Sequence, residues 1–243
     1  MLPSAKVIDV SNPSDIDVTF DLRSDTPAGK DPDTHSPTLR RYHQLLWSKT
    51  LPGGERFDLR ADSPGSYLRH TSDLGDFILT SDASIRTFRS VRKASAVIDQ
   101  IPEEDREAFS RQGYTIGGMM LFPGRRVGGK QTINQRRGMH PKISDRLDLT
   151  LECIRRHYLG EPSPLDETLT RYSAFFALFA DFRGYVDYFL LQDLVNEDYD
   201  TVRFFTPFDD FTTGAIPQTL VEYESYRALT LRFIEGRNAR IGV

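Results

Sequence analysis

Residues 16–23 read IDVTFDLR, in which Ile16, Val18, Phe20 and Leu22 alternate with Asp17, Thr19, Asp21 and Arg23. A period of two places the four apolar side chains on one face, the pattern of a strand with one buried side. Strand-sized runs follow at 56–60, 66–70 and 76–80, after the turn residues Pro52, Gly53 and Gly54. A more apolar run at 115–122 is interrupted by Gly117 and Gly118. The Gly-rich stretch 124–129 then predicts a hairpin, with a return strand at 131–135.

Working outward, helices flank these runs. Ser36 and Pro37 supply a side-chain cap and a pre-set first position for a helix carrying Leu39, Tyr42, Leu45 and Leu46. Residues 91–100 have helical spacing, and Pro102 with Glu103, Glu104 and Asp105 opens a helix that Gly113 ends. In the second half Ile143, Leu147, Leu151, Ile154 and Tyr158 recur at near-helical spacing up to Gly160. Ser163 and Pro164 predict a further helix through Leu165, Leu169, Tyr172, Phe175, Phe176 and Phe179. Residues 185–195 are apolar nearly all round, as in a buried element. A strand is predicted at 202–206, and Pro217 opens a last helix through Tyr223, Tyr226, Phe233 and Arg237. Strands gather early and helices late, without alternating βαβ units. The expected class is therefore α+β: one domain, 15–243, with a mostly antiparallel sheet from the N-terminal half against a helical C-terminal half. Residues 1–14, with Pro3 and Pro13, form a tail or edge segment.

Composition sets the outer limits. With 38% hydrophobic and 11% aromatic residues, the chain has the large apolar side chains that a disordered sequence lacks. A net charge of −4 gives no global attraction to phosphate polyanions, so any such contact must be local. The single Cys153 cannot form an internal disulfide and suits a reducing compartment, the cytoplasm. No apolar run of membrane-spanning length and no signal-peptide pattern occurs.

Two constellations could carry chemistry. The loop from Ser24 to Ser36 holds Asp25, Lys30, Asp31, Asp33 and His35 beside a helix start, with Arg23 before it and His43 in the first turns of the helix. Arg23, Asp25, His35 and His43 are the catalytic candidates. Asp31, Asp33 and His35 could supply metal ligands, although an Asp-Pro turn feeding a capped helix explains the same residues and no metal is predicted. The second constellation is basic: Arg125, Arg126, Lys130, Arg136, Arg137, Lys142 and Arg146 face one acid, Asp145, within 22 residues. Gln131, Asn134 and Gln135 are interspersed and could hydrogen-bond a base edge or ribose. Gly124, Gly129 and Lys130 imitate a phosphate loop. However, Gln131 stands where a magnesium-binding hydroxyl belongs, and Thr132, Ile133 and Asn134 give no clear helix start. Glu222 and Glu224 fall within a helical pattern, where residues two apart point to different sides.

The strings GKDPDTHSPTLRRYHQLLWSK (29–49), DRLDLTLECIRRHYLG (145–160) and FRGYVDYFLLQDLV (182–195) resemble a bacterial family catalogued as a domain of unknown function. The resemblance covers most of the chain from Val18 onward. It implies one domain and a bacterial cytoplasmic source, and it brings no activity, cofactor or catalytic residues.

From the residues themselves, the leading expectation is binding of a phosphate-bearing ligand, a nucleotide or nucleic acid. Lys30, Arg125, Arg126, Lys130, Asn134, Arg136 and Arg137 would hold it, with catalysis open. The rival is a non-enzymatic protein that forms a homo-oligomer through the aromatic helices from Phe175 to Phe189. A third reading is a metal-dependent hydrolase built on Asp31, Asp33 and His35. Whether 25–35 and 124–137 line one cleft separates them.

Overall fold

A computed structural model describes residues 15–62 and 65–242, so the segment expected at 1–14 lies outside the described residues. In chain order the elements begin with α1 (Pro32–His35), α2 (Pro37–Trp47), β1 (Lys49–Thr50) and β2 (Arg56–Phe57). β3 (Leu68–Ser72), β4 (Gly75–Ala83), α3 (Ser95–Ile98) and α4 (Glu103–Gly113) follow. Then come β5 (Met119–Pro123), α5 (Ile133–Met139), α6 (Leu147–Leu159) and α7 (Asp166–Thr170). The chain closes with α8 (Ser173–Ala177), α9 (Phe182–Tyr188) and α10 (Leu220–Ile241). Every strand lies between residues 49 and 123, and the second half is helical, so the architecture is α+β as the sequence predicts.

The sheet that organises the site is three-stranded and antiparallel, in the order β3-β4-β5. β4 is the middle strand, hairpinned to β3 through Asp73 and Leu74 and paired to β5 in the register Asp82↔Met120 and Ala83↔Met119. All five residues of β5 are buried, which matches its unbroken apolar sequence. α10 crosses beside β5 at very short range. A Cβ on Gly117 would stand 2.4 Å from Asn238 Oδ1, and the Gly117 N–H instead donates to that oxygen at 2.7 Å. Gly117 therefore serves close helix approach rather than interrupting a strand.

The helix expected after Ser36 forms over Pro37–Trp47, with Ser36 Oγ accepting from the Leu39 N–H at 3.0 Å. α6 ends at Gly160 in the left-handed conformation, φ +70°, as its sequence predicts. The aromatic residues in and just after α8 and α9 are buried in the chain's own core: Phe175, Phe176, Phe179, Tyr185 and Phe189 are each at most 1% exposed. They interlock with ring centroids 5.0–5.8 Å apart, for example Phe179 on Phe189 at 5.2 Å.

Several expected elements differ. Residues 16–22 are not a strand: the Asp17 carboxylate accepts from the Thr19 N–H and hydroxyl, and the Phe20 N–H donates to the Asp17 carbonyl, which closes a turn. Ile16 and Leu22 are nevertheless buried, in a small satellite cluster with Leu39, Tyr42 and Ile241. The alternation records burial without a ladder partner. The return strand at 131–135 is instead α5, where Thr132 Oγ1 accepts from Gln135 N–H while Gln135 Oε1 accepts from Thr132 N–H. That reciprocal cap overrides the strand-like run of short polar residues. Residues 91–100 break into a 3-10 turn at Arg92–Ala94 and the single turn α3, and 165–179 splits into α7 and α8. Residues 202–206 contribute one isolated bridge, Val195↔Val202, in place of a strand.

Candidate functional site

The end of β4 gathers three carboxylates, Asp33, Asp82 and Asp145, around the buried Arg137. Strand alternation sends Ser81 and Asp82 to opposite faces. On Ser81's side, His43 Nε2 meets Ser81 Oγ at 2.9 Å, while Trp47 Nε1 donates to His43 Nδ1 at 3.0 Å. Nδ1 is thereby fixed as acceptor and Nε2 as the N–H. Burial first, then Arg237, holds this imidazole down at a pKa of about 3, so it stays neutral and ties α2 to β4.

On the other face, Asp82 Oδ2 accepts from Arg137 Nη1 at 2.5 Å. Arg137 comes from α5, is 0% exposed and spends its remaining donors on the Asp145 carbonyl at 2.6 Å and Thr150 Oγ1 at 3.2 Å. Asp145 lies 3.8 Å from Arg137 Nη1 and pairs with Arg86 Nη1 at 2.5 Å. Ser144 and Asp145 both hold left-handed backbone, φ +49° and +61°, a conformation that costs a non-glycine residue energy. Gly138 leaves room for this carboxylate, since a Cβ there would stand 2.8 Å from Asp145 Oδ1.

The third acid, Asp33, arrives on α1, and its Oδ2 accepts from the Ala83 N–H at 3.3 Å. Burial, then the negative charges of Asp82 and Asp31, push the Asp33 carboxyl well above the usual range. Asp82 is raised to about 6, by burial first and by Asp145, with Arg137 opposing. Asp82 still presents 21% of its side chain to solvent, so it forms a floor and not an enclosed core group. Three acids around one saturated arginine leave the centre short of positive charge.

Above Asp82 opens a cleft of about 550 Å³. Arg86 and Arg126 supply its cations, and Gln131, Asn134 and Gln135 supply amides. Asn134 Nδ2 donates to the Ser81 carbonyl at 3.1 Å, leaving Asn134 Oδ1 buried without a partner; Asp33 Oδ1 is in the same state.

The sequence candidates divide sharply. Asn134 and Arg126 line the cleft, and Arg137 lies under it with its charge already matched. Arg125 projects outward toward Asp76 at 3.8 Å, and Lys130 and Lys30 are exposed. Arg136 is half-buried on α5 and is not among the residues lining the cleft. Arg23 is held by Asp21 at 2.7 Å and Glu107 at 2.9 Å. Asp25 caps α2, accepting from Ser36 Oγ and the Thr38 N–H. His35 is exposed, beside Thr34 Oγ1 and the Asp31 carbonyl. The Asp31 carboxylate caps α1 through the Asp33 N–H, and among the described residues no three His, Cys, Asp or Glu side chains converge on a metal position. Lys142 and Arg146 face a separate cavity of about 570 Å³. There Arg146 pairs with Asp148 at 2.5 Å and Lys142 donates to the Thr212 carbonyl, so both staple the 206–218 loop to the body.

Asp82, Arg86 and Asp145 were not singled out as functional in the sequence. Asp82 lies two residues beyond the run 76–80 read as a strand, and nothing local distinguishes it from a solvated acid. The signal is tertiary: α1 and α5, a hundred residues apart, meet at one strand end.

Removing one of the crowded charges should stabilise the fold. Asp33→Asn keeps an oxygen for the Ala83 N–H and mimics the protonated acid. At pH 8 its melting temperature should exceed wild type by about 2–4 °C, roughly 1 kcal/mol for a domain of this size. A raised folded-state pKa means wild type regains this stability as pH falls, so the gap should close by about pH 4. Melting curves at pH 8, 6 and 4 check both sign and trend.

An α+β domain with a polar cleft over a buried acid–arginine centre is the class that fold and site define. The chain belongs to a family described as of unknown function, DUF6994, whose model matches residues 16–241. No curated protein and no solved structure shows significant similarity to it. No helix among the described residues is long and apolar enough to cross a membrane.

Proposed function

We propose that this protein binds a small phosphate-bearing ligand, such as a nucleotide or sugar phosphate, in the cleft above Asp82, and that Asp82 transfers a proton to or from it. The observation that carries the reading is the cleft's lining. Arg126, which has no ion pair among the described residues, and three amides stand over a partly exposed carboxyl titrating near neutrality. An unmatched guanidinium suits phosphate oxygens, and a carboxyl with a pKa of about 6 can both give and take a proton near pH 7. A cleft of about 550 Å³ is the size of a small-molecule site. Extended nucleic acid would need a continuous basic surface, and Arg137 and Arg146 are buried and paired instead.

The test is a thermal-shift and calorimetric panel of inorganic phosphate, nucleoside monophosphates and sugar phosphates. A panel member should bind wild type, and Arg126→Glu should weaken it at least about tenfold, the scale of one charge-assisted contact. Equal affinity in Arg126→Glu, or no binding across the panel, would end the reading.

A further inference from the structure

Just past the C-terminal end of α2, Lys49 of β1 sits in a setting unlike that of any other described lysine. Its Nζ donates to the Tyr188 carbonyl at 2.7 Å and lies 4.5 Å from the Tyr188 ring centroid and 4.9 Å from that of Trp47. No carboxylate pairs with it among the described residues, although Asp181 and Asp187 line the same cleft. Both acids are engaged elsewhere: Asp181 caps α9 through the Gly184 N–H, and Asp187 accepts from Tyr199 Oη and Gln192 Nε2. The cleft holds about 440 Å³ and is completed by Pro52 and Arg183.

We propose that Lys49 is a reactive amine that forms a Schiff base with a small aldehyde or ketone entering this cleft. The neutral amine attacks the carbonyl carbon and a C–N bond forms. The carbonyl oxygen takes the two amine protons and leaves as water, and the C=N bond closes. No oxidant or further reactant is consumed. This site is separate from the Asp82 cleft and stands or falls independently of it.

Burial and one nearby cation favour the neutral amine against the pull of its immediate partners. Burial, then the Arg237 guanidinium of α10, lower its pKa to about 8, against the two rings and the one carbonyl that favour the ammonium. His43, beside Trp47, is neutral, and Arg56 and Asp58, which face Tyr188 from β2 and the residue after it, offset each other. Arg183 lies over the Tyr199 ring at 4.3 Å and adds a second cation to the cleft. An amine without an acid partner, beside room for a substrate, is what nucleophilic lysine chemistry requires.

The experiment treats the full chain with propanal and cyanoborohydride at pH 7 and measures propylation of each lysine peptide by mass spectrometry. Exposed Lys30, Lys93 and Lys130 serve as internal references. Lys49 should label about tenfold faster than these, because an amine titrating near 8 has far more free base at pH 7 than one near 10.4. Its rate should saturate with propanal and level off above about pH 8. Lys49→Arg, with its fold checked by circular dichroism, should lose the fast phase and keep the slow one. Labelling of Lys49 no faster than the three references, or a fast phase surviving in Lys49→Arg, overturns the proposal.

Discussion

Arg237→Ala should lower the melting temperature by about 10 °C, the largest loss expected from a single substitution away from the acids. Arg237 is 0% exposed, and no carboxylate among the described residues forms an ion pair with it. Its guanidinium is held by carbonyls: Nε donates to Phe189 at 3.1 Å, and Nη1 donates to Gly117 at 3.1 Å and Met119 at 2.7 Å. One face covers Trp47 at 5.5 Å. A charge buried this way is pulled down to about 9, yet remains protonated at pH 7. The side chain thus joins α10, the turn before β5 and the end of α9 through one group. Alanine removes the donors of three buried carbonyls and leaves a cavity beside Trp47. Charge-assisted hydrogen bonds and cavity terms together amount to about 4 kcal/mol, and a domain of this size loses about 2–4 °C per kcal/mol. Arg237→Lys keeps one donor and should fall between. A melting temperature for Arg237→Ala within about 2 °C of wild type would show that waters can replace the guanidinium.

Arg237 also shows how far periodicity carries. Its helical position was legible, because the apolar stripe of α10 includes it at the spacing of Tyr223, Tyr226 and Phe233. Its role was not, because the carbonyls it serves come from elements about 50 and 120 residues away. The same limit separates the fold from the site. Strands before helices, the Ser36 cap, Gly160 and the proline-opened helices were readable, since each rests on contacts within a few residues. The 16–22 alternation misled because burial and strand pairing share a period of two, and Asp17 closes a turn inside it. α5 was missed because the reciprocal Thr132–Gln135 cap competes with a strand-like run, and one helix turn decides between them. Three members of the basic run are matched by acids in the fold. Arg137 turns inward to Asp82, Arg146 to Asp148, and Arg125 toward Asp76. The two constellations approach each other at the end of β4, through Asp33 from one and Arg137 and Asn134 from the other, but no residue of 25–35 lines the cleft. Their meeting point, Asp82, belongs to neither.

That meeting point sets the second large effect. Arg137→Met preserves much of the side-chain volume over Phe122 but removes the cation that Asp82 and Asp145 share. Breaking one partner from a buried ion pair costs about 3–5 kcal/mol, because the remaining charge is left uncompensated. Here the loss should depend on pH in a defined direction. Arg137 opposes the rise in Asp82's pKa, so its removal moves that carboxyl further above about 6. In the variant, folding then takes up a proton over a range that wild type has not yet entered. As pH falls from 8.5 toward 5, the variant should regain at least about 1 kcal/mol relative to wild type. Below about 6 wild-type Asp82 is protonating too, and the two should run parallel. Urea unfolding at both pH values reads the difference, and Asp82→Asn in the Arg137→Met background isolates its source. If the double variant is no more stable than Arg137→Met at pH 8.5, or the loss is the same at both pH values, Arg137 acts by packing and by its bonds to the Asp145 carbonyl and Thr150. In that case Asp82 is not the charged floor on which the proposed proton transfer rests.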